Sequence, residues 1–161
     1  MAILLEEQIG SLLKARGLKL AMAESCTGGL IGHRITNIPG SSDYYLGSVT
    51  AYAYEAKEKL LGVNHATLEK YGAVSEETVL EMARGIRNTL AADIGVSVSG
   101  IAGPGGGLPH KPVGTVWFGL STPTGDWAFR FLFTGDRIQV KEVSAEKALA
   151  LLLHYLTEGH P

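Results

Sequence analysis

The segment KLAMAESCTGGLIGHRIT at 19–36 bounds the fold most tightly. An apolar run at 19–24 stops at Ser25-Cys26-Thr27-Gly28-Gly29, and helical periodicity resumes at 30–36 until Pro39 ends it. Strand, glycine turn, helix is the order of an α/β unit. A second turn of the same kind follows a buried strand at 94–99, which breaks into SGIAGPGGG and a loop running to Pro112. Open α/β sheets bind ligands beyond the carboxyl ends of their strands. Two such turns therefore nominate the backbone at Thr27, Gly28 and Gly29, and at Gly100, Gly103, Gly105, Gly106 and Gly107, as ligand-holding.

The remaining pattern fits around these units. Apolar spacing predicts helices over 2–16, 55–62, 75–90 and 137–157, the third opened by Ser75 as a cap. YYLGSVTAY at 44–52 reads as a strand, and the runs at 113–120 and 127–133, joined through Pro123, Thr124 and Gly125, read as an antiparallel hairpin. Alternating strands and helices with an embedded hairpin predict an α/β three-layer sandwich, a mixed β-sheet flanked by helices. No linker, low-complexity tract or repeat divides the chain, so residues 1–161 are expected to form one domain. Hydrophobic content of 45% in 161 residues is enough for a core without disulfides or metal.

Several functions are disfavoured. A net charge of −2, with the 14 basic residues scattered, offers no track for a nucleic-acid backbone. The single cysteine, Cys26, has no internal partner, which fits a reducing, cytoplasmic setting. Glu6 and Glu7 interrupt the apolar N-terminus, which has no basic lead, so it reads as a helix and not a signal peptide. No apolar run reaches the roughly 18–20 residues of a membrane span. The glycine loop is neither a Walker A sequence nor a GxGxxG fingerprint, GxSxG is absent, and no HExxH or two-cysteine zinc spacing occurs. No metal and no cofactor are expected.

Ser25 sits where several backbone N–H groups lack a helical acceptor, a place suited to a phosphate or an acyl-transfer oxyanion. The plainer alternative is that Ser25 or Thr27 only caps the helix. A nucleophilic serine needs a base. His65, His110, His154 and His160 fall in turns, loops or the tail, and His33 lies inside a helix, so none has an evident acidic partner. The SxxK pairs Ser11–Lys14 and Ser144–Lys147 lie on long amphipathic helices, where solvated lysines are ordinary. TAYAYEAK at 50–57 offers a better base: Tyr52 ends a strand and Lys57 lies near the start of the next helix, where the dipole and partial desolvation both lower a lysine pKa.

AESCTGG at 23–29, TAYAYEAK at 50–57, GAVS at 72–75, SGIAGPGGG at 99–107, KPVGTVWFG at 111–119 and FTGDR at 133–137 together resemble one family in order and spacing. It is that of the C-terminal domain of the competence/damage-inducible protein CinA, with its stand-alone relatives, the nicotinamide mononucleotide deamidases (PncC). The resemblance implies hydrolysis of the carboxamide of nicotinamide mononucleotide to the acid and ammonia. It implies Ser25 as nucleophile, Lys57 as base and Tyr52 as a third catalytic group. N–H groups around Thr27–Gly29 would stabilise the oxyanion, while Ser99, the glycine loop and Arg137 would hold the nucleotide, the guanidinium being suited to phosphate. The family commonly has asparagine where this chain has Tyr54, and threonine where it has Ser99. The longer relatives carry a further N-terminal domain resembling molybdopterin-binding proteins. Homo-oligomerisation is expected from the family and from the apolar helix faces. The alternatives are a non-catalytic nucleotide-sensing module and, on the family's name alone, a DNA-associated competence factor.

Overall fold

In the computed structural model, which describes residues 2–161, the chain runs through α1 (Leu5–Arg16), β1 (Leu20–Glu24), α2 (Leu30–Thr36), a 3-10 turn (Ser41–Asp43) and β2 (Tyr45–Thr50). It continues through α3 (Tyr54–Leu61), α4 (His65–Tyr71), α5 (Glu76–Thr89), β3 (Ile94–Gly100), β4 (Thr115–Thr122), β5 (Gly125–Leu132) and α6 (Arg137–Glu158). The strands form one mixed sheet in the order β2-β1-β3-β4-β5. β2, β1 and β3 are parallel, whereas β3, β4 and β5 are antiparallel. Helices cover both faces, α1, α2 and α6 on one and α3, α4 and α5 on the other.

The pleat sorts side chains between these faces. Leu20 and Met22 of β1 join Ile9, Leu13, Ile35 and Leu149 in the larger core under α1, α2 and α6. Ala21 and Ala23 face the other way, against Leu61, Met82 and Ile86. That second side is built of small residues. A Cβ on Gly119 would lie 2.3 Å from the Val79 carbonyl oxygen, and one on Gly95 would lie 2.3 Å from that of Ala83. Ser97 Oγ donates to the Val79 carbonyl at 2.6 Å. α5 thus rests its backbone almost directly on the strands.

The expected elements form, with three differences. α1 begins at Leu5 and not at residue 2, because Leu4 is extended and its N–H donates to the Glu7 carboxylate at 3.4 Å. The hairpin connection is only Pro123-Thr124, since Gly125 already pairs with Thr122. α4 has no counterpart in the sequence pattern: its seven residues bury only Leu68, too little for an apolar period to show. Between helices, Arg34 of α2 binds Glu6 of α1 at 2.8 Å and Glu146 of α6 at 2.6 Å. Among the described residues no helix is long and apolar enough to cross a membrane.

Candidate active site

The chain leaves β1 for β2 across one face through α2, then returns to β3 across the other through α3–α5. A reversal of this kind opens a crevice at the carboxyl ends of the parallel strands. The residue following β1 lies in it. The Ser25 N–H donates to the Val98 carbonyl at 3.0 Å, which prolongs the β1–β3 ladder by one step and sets Ser25 beside Ser99.

Lys57, in the first turn of α3, comes in from the β2 side. Its Nζ lies 3.1 Å from Ser25 Oγ, 2.8 Å from the Ala51 carbonyl oxygen and 3.0 Å from that of Tyr52. The lysine is only 1% exposed and forms no ion pair among the described residues. Carbonyl oxygens can only accept. A neutral amine therefore spends its two N–H bonds on Ala51 and Tyr52, and its lone pair is left facing the Ser25 hydroxyl. Burial pushes the Lys57 pKa down to about 8, with a smaller opposing influence from Cys26. The neighbouring thiol goes the other way: burial raises Cys26 to about 12, so it stays protonated and unreactive near neutrality.

Glu24, which sequence reasoning passes over, organises the turn. Its carboxylate is fully buried and accepts from the Ile31 N–H and the Gly32 N–H, both at 3.0 Å, and from Thr27 Oγ1 at 2.6 Å. The free first-turn donors of α2 thus already hold an anion, and it is internal. Neither Ser25 nor Thr27 caps α2; the cap position is Gly29 at φ 101°, a conformation glycine adopts freely. Among the described residues the N–H groups of Cys26, Thr27 and Gly29 have no intramolecular acceptor. A carboxylate ending an otherwise apolar strand is the visible signal for Glu24.

Tyr52 meets Lys57 through its backbone alone. Its phenol is exposed, and its oxygen accepts from Arg137 Nη2 at 3.0 Å. Arg137 Nη1 donates to the Gly103 carbonyl at 2.7 Å, so the guanidinium fastens the 100–107 loop to the end of β2. Ser99, buried near the end of β3, and Gly103 adjoin the crevice. Gly100 belongs to β3 and is required by packing, since a Cβ there would lie 2.7 Å from Val116 Cγ2. Gly105 and Gly106 are exposed in the outer loop. Tyr54 turns away from Ser25: its hydroxyl accepts the Ala73 N–H at 3.3 Å. Among the described residues no three His, Cys, Asp or Glu side chains are grouped as metal ligands.

Comparison with known proteins identifies the fold. The family model described as the CinA C-terminal domain matches residues 3–156. A CinA-like protein of Salinibacter ruber is 52% identical over 147 residues, 91% of this chain and 36% of that protein. A putative competence-damage inducible protein of Moorella thermoacetica is 52% identical over 148 residues, covering 92% of this chain and 36% of its own length. The chain thus spans little more than a third of these relatives. Among solved structures, a CinA superfamily protein of Klebsiella pneumoniae superposes with TM-score 0.92 at 37% identity, covering 96% of each chain. The competence/damage inducible protein CihA of Agrobacterium tumefaciens gives TM-score 0.89 at 35% identity, over 98% of this chain and 99% of its own.

Proposed function

This chain belongs to the CinA C-terminal domain family, and on that premise we propose that it is an amidohydrolase that converts nicotinamide mononucleotide to nicotinic acid mononucleotide and ammonia. The observation that carries the reading is the Ser25–Lys57 contact of 3.1 Å, made by a buried amine whose other two partners are carbonyls. Such an amine is held ready to take a proton. Neutral Lys57 would accept the Ser25 hydroxyl proton as Oγ attacks the carboxamide carbon. The resulting oxyanion would draw on the free Cys26 N–H, next to Ser25 in the chain. The lysine ammonium would then give its proton to the amide nitrogen, so that the C–N bond breaks with release of ammonia and leaves an ester on Ser25, which water would hydrolyse with Lys57 again as base. Tyr52 would act through its link to Arg137, keeping the glycine loop over the crevice.

Purified protein incubated with nicotinamide mononucleotide should release ammonia and nicotinic acid mononucleotide in equal amounts. Ser25→Ala, which removes one oxygen and opens no large cavity, should lower kcat by roughly a thousandfold or more while the protein stays folded. Tight binding without turnover by the wild type would instead support the sensing module, in which Ser25 performs no chemistry.

A further inference from the structure

α6 carries a second cation toward the same turn. Arg137 and Lys141 are four residues apart and therefore share one face of the helix. Both of the Arg137 terminal nitrogens are engaged, with Gly103 and Tyr52. Lys141 is part-buried, and among the described residues it makes no hydrogen bond or ion pair. Its ammonium stands next to Gly28, where an added Cβ would lie 3.7 Å from Nζ. Lys57, from α3, and Lys141, from α6, thus both reach the turn that bears Ser25, one at Ser25 and the other at Gly28. Between the 27–30 turn and Ile138 and Lys141 lies a cavity of about 420 Å³. Lys141 is its only lysine or arginine among the described lining residues, with Glu142 and His33 also on the wall.

We propose that this cavity seats the phosphate of the substrate, with Lys141 as its counter-charge. The Glu24 carboxylate has already taken the first-turn donors of α2, so the positive charge for a second anion has to come from a side chain. Gly28, at φ 62° and lacking a Cβ, leaves room for phosphate oxygens to approach the backbone beside Lys141. Arg137 then serves as the fastener of the loop. The substrate's identity rests on the amidohydrolase reading; the presence of an anion site does not.

Two measurements test this separately. The first compares kcat/KM for nicotinamide mononucleotide with that for nicotinamide riboside, which lacks the phosphate, in the wild type, Lys141→Ala and Lys141→Arg. The preference for the phosphorylated substrate should fall at least tenfold in the alanine variant, through KM, and largely return in the arginine variant. A preference unchanged in Lys141→Ala overturns the proposal. The second titrates inorganic phosphate into Ser25→Ala protein and follows the amide NMR signals of Thr27, Gly28 and Gly29. Those signals should move, and should stop moving when Lys141→Ala is added; an unresponsive turn in the Ser25→Ala protein also overturns the proposal. Phosphate binding with an unchanged substrate preference would mark an anion site unconnected with the substrate and would equally reject it. Absence of turnover on either amide would refute the amidohydrolase reading, and the titration would still decide the anion site.

Discussion

Lys57 has the serine contact that a base needs and, among the described residues, no carboxylate partner that would hold it charged. The free enzyme's kcat/KM should accordingly rise with pH as the amine loses its proton, with a midpoint near the value of about 8 to which burial lowers it. A lysine that merely bound an anion would give the opposite slope. Arginine keeps the charge and cannot deprotonate in this range, so Lys57→Arg and Lys57→Ala should be similarly inactive in steady-state assays. Substantial turnover by Lys57→Arg with the wild-type pH profile would assign the base elsewhere. Cys26, adjacent in sequence but protonated and buried, should matter little: Cys26→Ser is expected to keep activity within about threefold, since its thiol does no chemistry. A covalent thiol adduct with substrate, found by mass spectrometry, would contradict that.

Among the elements, α5 and the strands beneath it leave no room for added volume. The Val79 carbonyl is 2.3 Å from where a Gly119 Cβ would sit, and it already receives the Ser97 hydroxyl, so neither side can yield without losing a buried hydrogen bond. Gly119→Ala should destabilise by roughly 3 kcal/mol, the upper end of overpacking costs. Urea denaturation should show it as a lower midpoint at unchanged slope. An unaltered midpoint would mean that α5 is free to lift. α2 is steadied differently, by the Glu24 carboxylate on its first turn, and this is also what keeps the Ser25 turn in place.

For the whole molecule, the Glu6–Arg34–Glu146 cluster joins α1, α2 and α6, the three helices of one layer. The hydrogen bond from Arg34 holds the Glu6 carboxyl below its ordinary value of 4.5. A carboxyl depressed in the folded state contributes stability that is complete above its unfolded pKa and is lost as pH falls through the folded one. Glu6→Gln should therefore cost about 2 kcal/mol near neutrality, less than the roughly 3–5 kcal/mol of a fully buried pair because Arg34 keeps Glu146 and is partly solvated. In thermal unfolding the gap between wild type and variant should narrow below about pH 4.5, because the unfolded chain then takes up a proton that the folded carboxyl still refuses. A gap constant down to strong acid would show that the pair adds nothing ionic.

The sequence alone determined the α/β order of elements, the mixed sheet and the two glycine turns, because those depend on local periodicity and on residues that interrupt it. It also singled out Ser25 and Lys57, each conspicuous by its position at the end of a strand or the start of a helix. It could not separate the glycines by role, since Gly100 is demanded by Val116 and Gly105 by no neighbour, and both read alike in a glycine-rich run. Nor could it find Glu24 as the anion on α2, the engagement of Arg137 with Gly103 and Tyr52, or the approach of Lys141 to Gly28. Most of those contacts join residues far apart in the chain, and all of them depend on which way each side chain points. Only the packing of α6 and α2 against the sheet decides that, because a buried charge takes its direction from the partners that fold around it.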